Sequence, residues 1–273
     1  MNLLNFIPLK LAKKYSNSVT IAHNHSTYNI REYKKYFLKK LLKPYASLYA
    51  DYSFACSNRV KEMIYGKKKD IYIIHNAIEI DKYIFSKSKR FAIRKELNYL
   101  DNNIVIGNVG RFVSVKNHEK LIEEFYKLYK DNNNYRLLLI GDGPKLNKIV
   151  KLINRYNLSQ VVKNISKINN TNDYYQAMDI FCLTSIYEGL PIVTEEAQAS
   201  NLNCVISNNV TKEVKLLEST IFMDLDDDWS SVIKNIFLND REDFVEQIIS
   251  DAGYNIKNEV RILEKIYCKI LKR

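Results

Sequence analysis

Three glutamates crowd the stretch SIYEGLPIVTEEAQASN, Ser185 to Asn201: Glu188, Glu195 and Glu196. A carboxylate in a loop above a strand end can accept from sugar hydroxyls. One set about a turn and a half into a helix can accept both vicinal hydroxyls of a ribose. The helix N-terminus between them has unpaired N–H groups and partial positive charge, so it attracts phosphate. Glu188 falls in the loop, Pro191 can begin the helix, and Glu196 lies inside it. Glu195 is one step round from Glu196 and is expected to face solvent.

A second chemical cluster is GRFVSVKNHEKL, which follows the apolar run IVIGNVG. Gly107 and Gly110 let the backbone approach closely at the C-terminal end of a strand, where open parallel sheets bind ligands. Arg111 offers a planar fork and Lys116 a point charge, a pairing that suits a diphosphate. On their own, two basic residues in a turn also read as simply solvated. The turn LLLIGDGPKL supplies Gly141 and Gly143 but lacks the third glycine of a dinucleotide fingerprint, and it reads as a tight strand-to-helix connection. The acidic run Asp224–Asp228, DLDDD, looks like a metal-binding triplet, yet it lies just before a helix at Trp229. Capping and complementing that helix dipole explain it more simply.

These residues need a frame to hold them. From Asn103 onward, IVIGNVG, RLLLIG, VVKNI, DIFCLT and NCVIS read as strands, and helices at Asn117–Lys130, Pro144–Tyr156, DYYQAM and Pro191–Ser200 alternate with them. Continuous apolar strands alternating with helices indicate a parallel sheet covered on both faces. Upstream, Val19–His23, Asp51–Ser57 and Ile71–Asn76 read as strands, with a basic helix between the first two. After Asp228 only helical patterns remain. The charged, anchor-poor segment Ile80–Arg90 marks a domain boundary. The division expected is therefore 1–85, 86–240 and a helical tail 241–273 that packs back toward the first part.

The 273 residues carry a net charge of +11, unevenly spread: +14 over residues 1–95 and −3 over the rest. Only the first part is thus suited to a polyanion or an anionic membrane, or it presents a solvated lysine-rich face. The basic stretch 31–45, REYKKYFLKKLLKPY, has Tyr33, Phe37, Leu41 and Leu42 at helical spacing between lysines. Such a helix can lie on an anionic membrane or pack on a sheet. Nucleic-acid binding needs aromatic platforms or a groove-reading helix, and the tyrosines are scattered. Cys56, Cys182, Cys204 and Cys268 form no CxxC and fit reduced, buried thiols. No apolar run nears the roughly 20 residues of a bilayer span, and the N-terminal MNLLNFIPLKLAKKY lacks a signal-peptide cleavage pattern. A cytoplasmic protein is expected, with peripheral attachment at the inner face of the membrane through 31–45 as an option.

GRFVSVKNHEKLIEEF, LLLIGDGP, YEGLPIVTEEAQAS and the closing AGYNIKNEVRILEKIYCKIL together resemble the retaining GT-B glycosyltransferases of family 4, particularly bacterial enzymes of capsular and exopolysaccharide synthesis. Glu188 and Glu196 have that family's spacing, with seven residues between them; Glu188 and Glu195 do not. The resemblance implies two Rossmann-like domains with a nucleotide-sugar donor, such as a UDP-sugar, in the second. It implies no obligatory metal or other cofactor, and a hexosyl transfer with retention to a glycan or lipid-linked acceptor. Carried over, Gly110, Arg111 and Lys116 bind the diphosphate and stabilise the leaving group. Glu188 contacts the donor sugar beside Gly189, Leu190 and Pro191, and Glu196 holds the ribose. His25 in IAHNHST resembles a cleft histidine near the reacting sugar, though a lone histidine at a strand end is as often structural.

Two departures from the family are conspicuous. Ser166 and Ile168 stand where glycine and arginine are frequent, and Ala77 where glycine is. The part before the boundary holds three strands where the resemblance implies about twice as many, so a truncated N-terminal domain is expected. The alternative to a complete enzyme is a remnant or split-gene subunit that binds nucleotide sugar and either needs a partner chain for turnover or is inactive.

Overall fold

The computed structural model describes residues 6–25, 48–66, 70–166, 168–238, 241 and 245–272. By its internal contacts the chain divides into two units. The first comprises residues up to Ala77 together with those from Ile256 onward; the second is Ile78–Asn255.

In the first unit, helix α1 (Phe6–Tyr15) precedes strand β1 (Ile21–Asn24), β2 (Tyr52–Ala55), helix α2 (Asn58–Tyr65) and β3 (Ile71–Ile73). The strands pair in parallel in the order β1-β2-β3, with Ala22 opposite Ser53 and Ala55 opposite Ile73. Phe54 is fully buried between Ile74 and Ile270 of the terminal helix Ile256–Leu271. That helix is tied to the sheet by Glu259, whose Oε2 accepts the His75 N–H at 2.8 Å. The basic stretch 31–45 lies outside the described residues.

The second unit holds α3 (Lys87–Glu96), β4 (Ile104–Val109), α4 (His118–Asp131), β5 (Tyr135–Ile140), α5 (Leu146–Arg155), β6 (Val162–Ile165), α6 (Thr171–Tyr175), β7 (Ile180–Leu183), α7 (Ile192–Ala199), β8 (Asn203–Ser207), β9 (Thr220–Met223), α8 (Trp229–Lys234) and α9 (Glu246–Asp251). Its six strands are all parallel, in the order β6-β5-β4-β7-β8-β9. The central strands are buried along nearly their whole length, β7 at every residue, because helices cover both faces. The chain winds outward one way from β4 and then the other way from β7, so these neighbours form a topological switch point whose C-terminal ends open a crevice. Gly107 lies on β4 where a methyl group would sit 2.0 Å from Met178 Sδ. Its missing side chain lets Met178 pack directly on the strand.

Glycine is scarce, and asparagine takes over its turn work. Asn98, Asn117, Asn157 and Asn201 are the described non-glycine residues with positive φ. Three of them follow helix C-termini, where a left-handed residue ends the helix and asparagine is the best substitute for glycine.

Several sequence expectations change. The division falls between Ala77 and Ile78, ahead of Ile80–Arg90, because Ile78 and Ile80 are buried against Ala199, Ile249 and Tyr254. The tail 241–273 splits, with α9 in the second unit and the terminal helix in the first. Strand β9 lies where no element was expected; it is a four-residue strand at the sheet's edge, buried only at its two ends, and too short an apolar run to stand out. Cys56, Cys182 and Cys204 are buried, whereas Cys268 is exposed on the terminal helix. Asp228 caps α8: its Oδ1 accepts the Ser230 hydroxyl at 2.6 Å and the Ser231 N–H at 3.4 Å. No described helix is long and apolar enough to cross a membrane.

Candidate functional site

The β4 and β7 loops form one structure at the switch point. After β4, the Gly110 N–H donates to Ile140 O at 2.9 Å, and the chain passes Arg111 into a short turn, Ser114–Lys116. After β7, Ile186 N–H donates to Val115 O at 2.8 Å, and Thr184 Oγ1 donates to Asn117 O at 2.9 Å. These bonds stitch the Lys116 loop to the Glu188 loop across the intervening strands and helices of the sequence.

Consequently Lys116 Nζ meets Glu188 Oε1 at 2.6 Å, and Ser185 Oγ donates to the same oxygen at 2.9 Å. Arg111 is exposed and lines a cleft of about 430 Å³ with Gly110, Gly141, Asp142, Gly143 and Ile168. Gly141 and Gly143 build the cleft wall at φ +147° and +156°, and a Cβ on Gly141 would lie 2.1 Å from Gly110 O. Here only glycine lets the two loops touch. The side chain of Ile168 supplies an apolar wall to this cleft.

Helix α7 begins behind the Glu188 loop. Pro191 carbonyl accepts the Thr194 N–H at 3.0 Å and its hydroxyl at 2.7 Å, which closes the first turn. The Ile192 and Val193 amides ahead of it have no intrahelical acceptor. Gly189 and Leu190 are half-buried in the loop, and Leu190 packs on the core beside Val193.

Glu196 is half-buried, and each of its oxygens is held: Oε1 accepts from Tyr83 at 2.8 Å and Oε2 from Tyr175 at 2.7 Å. Glu195 contradicts its expected exposure. It is fully buried, and neither carboxylate oxygen has a hydrogen-bond partner among the described residues. Burial, reinforced by the neighbouring Glu196, pushes its carboxyl well above the usual range, so it stays protonated.

Two further histidines, one in each unit, have defined surroundings. His118, the first residue of α4, is 2% exposed, edge-on to Phe112 at 4.4 Å, with Nε2 unpartnered. Burial first, and Lys116 second, lower its pKa to about 4. His25 lies in the first unit at the end of β1. Its Nδ1 is 2.8 Å from Asn76 Oδ1, and its ring lies 3.9 Å from that of His23, whose own pKa falls to about 4 through burial and then His25.

Sequence reasoning missed Tyr83, Tyr175 and His118. Tyr83 sits in the charged segment taken as a boundary, and Tyr175 in DYYQAM, where nothing marks one tyrosine from its neighbour. A buried ring is recognised only once its neighbours are placed.

Comparison with known proteins bears directly on this crevice. Residues 89–219 match the family "Glycosyl transferases group 1". The matched segment contains both loops, all three glutamates and the cleft glycines. Among curated relatives, the putative glycosyltransferase EpsF of Bacillus subtilis is 25% identical over 223 residues, 78% of this chain and 58% of the relative. The UDP-Gal:alpha-D-GlcNAc-diphosphoundecaprenol alpha-1,3-galactosyltransferase of Escherichia coli is 29% identical over 159 residues, 55% of this chain and 39% of the relative. The chain thus spans about half the length of the curated relatives it matches. Among solved structures, Anabaena HepE in complex with UDP-glucose superposes with a TM-score of 0.82 at 17% identity, covering 98% of this chain and 77% of HepE. Sucrose-phosphate synthase of Thermosynechococcus elongatus gives 0.79 at 17% identity, covering 99% and 72%. The fold is α/β, Rossmann-like, of the GT-B type.

Proposed function

We propose that this chain binds a nucleotide-sugar donor, a UDP-sugar, and takes part in transferring its sugar to a glycan or lipid-linked acceptor with retention of configuration. The observation that carries the reading is the β4/β7 crevice. Lys116 pairs there with Glu188, Arg111 lines the adjoining glycine-walled cleft, and α7 begins at Pro191 between Glu188 and Glu196, which supports a diphosphate held by Arg111, Lys116 and the free amides at the start of α7.

Lys116 and Arg111 neutralise the phosphates and the charge that builds on them as the bond to the sugar breaks, a contribution of about 10²–10³ in rate for a well-placed group. Glu188 faces the sugar hydroxyls and Glu196 those of the ribose. The relatives' names support this direction: EpsF is a putative glycosyltransferase, and the E. coli relative uses a UDP-sugar and a lipid diphosphate-linked acceptor. No metal or other cofactor enters the reading.

The test is calorimetric titration with UDP alongside assay of sugar transfer and donor hydrolysis, using Arg111→Ala and Glu196→Ala as controls. Saturable UDP binding that each substitution weakens by about tenfold or more is expected. Absence of binding to any nucleoside diphosphate sinks the reading. Binding without turnover leaves a donor-binding module that needs a second chain.

A further inference from the structure

Among the described carboxylates of the crevice, Glu196 has both oxygens held by side chains of other segments. Tyr83, after the turn Ile80–Lys82, donates to Oε1, and Tyr175, at the end of α6, donates to Oε2. Neither hydroxyl forms part of the glycine turns or the basic loop. Each comes from a residue that is itself pinned. The Tyr83 carbonyl accepts the Ser200 hydroxyl at 2.8 Å and the Gln176 amide at 3.0 Å. Tyr175 is fully buried, and its carbonyl accepts from Arg241 at 3.3 Å. The two rings meet edge to face at 5.8 Å.

The chemistry of this arrangement is directional. Burial first, and Glu196 second, push both phenols far above their usual range, so they remain donors. A carboxylate has about four lone-pair sites, two per oxygen. With one site on each oxygen occupied by tyrosine, one on each remains, a spacing matched to two adjacent hydroxyls. A glutamate on a helix otherwise samples several rotamers, and a single hydrogen bond would leave it free to turn about its last torsion. Two donors on opposite oxygens fix the plane of the carboxylate.

Resting on the donor-binding reading, we propose that Tyr83 and Tyr175 are positioning residues that clamp the Glu196 carboxylate and make the site select ribonucleotides over 2′-deoxyribonucleotides. The missing 2′-hydroxyl leaves one lone pair of the clamped, half-buried carboxylate without a donor. A site built to bond a hydroxyl rejects the analogue that lacks it. A mobile glutamate would turn to satisfy itself with water, and the selectivity would shrink.

The experiment is calorimetric titration of the full chain with UDP and with 2′-deoxy-UDP, for wild type, Tyr83→Phe, Tyr175→Phe, Glu196→Gln and the double variant Tyr83→Phe/Glu196→Gln. Wild type is expected to favour UDP by about tenfold or more. Each phenylalanine variant is expected to cut that ratio at least about threefold, and the double variant to add nothing to Glu196→Gln. A purely structural role would lower thermal stability and leave the ratio intact. Should the buried Tyr175→Phe not fold, Tyr83→Phe decides alone, since its ring is only half-buried. An unchanged UDP to 2′-deoxy-UDP ratio in the folded variants overturns the clamp while leaving the donor reading in place. Failure of wild type to bind UDP, GDP or ADP overturns the donor reading, and the clamp with it.

Discussion

Lys116 Nζ and Glu188 Oε1 stand 2.6 Å apart, with the two side chains only 16% and 17% exposed. On the proposed reading, the cation for the diphosphate is therefore held by the carboxylate for the sugar. Donor binding has to compete with that pair, which is worth about 1 kcal/mol at partial exposure. Glu188→Gln is expected to bind UDP equally or up to about fivefold tighter while sugar transfer falls by about 100-fold. Lys116→Ala is expected to weaken UDP instead. If calorimetry finds both variants weakened alike, the competition does not exist.

Glu195 gives a prediction of opposite sign to that of most acidic residues. In the unfolded chain a glutamate releases its proton near pH 4.3; in the fold, burial keeps Glu195 protonated to much higher pH. Its contribution to stability is full below the unfolded value and declines as pH rises, by up to about 1.4 kcal/mol per pH unit. Glu195→Gln should remove this decline. The difference in melting temperature between variant and wild type, followed from pH 4.5 to 8, should widen in favour of the variant. A difference independent of pH would show that Glu195 is charged in the fold.

His118 works the other way. Its unfolded pKa near 6.5 drops to about 4 in the fold, so the stability it contributes is complete above pH 6.5 and is lost as pH falls toward 4. The loss amounts to roughly 3 kcal/mol over that window. His118→Phe, which keeps an aromatic ring against Phe112, is expected to flatten the acid side of the stability curve. Chemical denaturation at pH 5 and pH 7 measures it; the same midpoint shift in variant and wild type would exclude a role for His118.

Gly141→Ala tests the cleft wall. The new methyl group would sit 2.1 Å from Gly110 O at a backbone φ of +147°. The strain costs on the order of 1–3 kcal/mol, and relief comes by moving the Gly110–Arg111 backbone away. Melting temperature and UDP affinity should therefore fall together. A variant that is less stable yet binds UDP as wild type would uncouple the wall from the Arg111 loop.

How far these features can be read from the chain follows from their range. Gly110, Arg111 and Lys116 occupy seven consecutive positions, and Glu188 and Glu196 nine. Within such spans, strand and helix geometry fix which residues reach the C-terminal edge of a sheet. Apolar runs alternating with amphipathic ones were enough to indicate the parallel layers, and five of the six strands of the second unit. The β9 segment escaped because a four-residue edge strand with one open face has almost no periodic signal.

The sequence by itself determined the local chemistry: the order of strands and helices, the basic loop after β4, and the paired glutamates at their spacing. Only the tertiary structure decided which distant groups complete them. Lys116 finds Glu188 because β4 and β7 are neighbours in space while two strands intervene in the chain. Glu196 finds Tyr83, 113 residues away. Glu195 and Glu196 differ by about 100° around one helix, and nothing in their type says which of them the core will cover. The packing of α7 against the sheet buried one and left the other at the crevice, because burial belongs to the surfaces around a helix rather than to the helix alone.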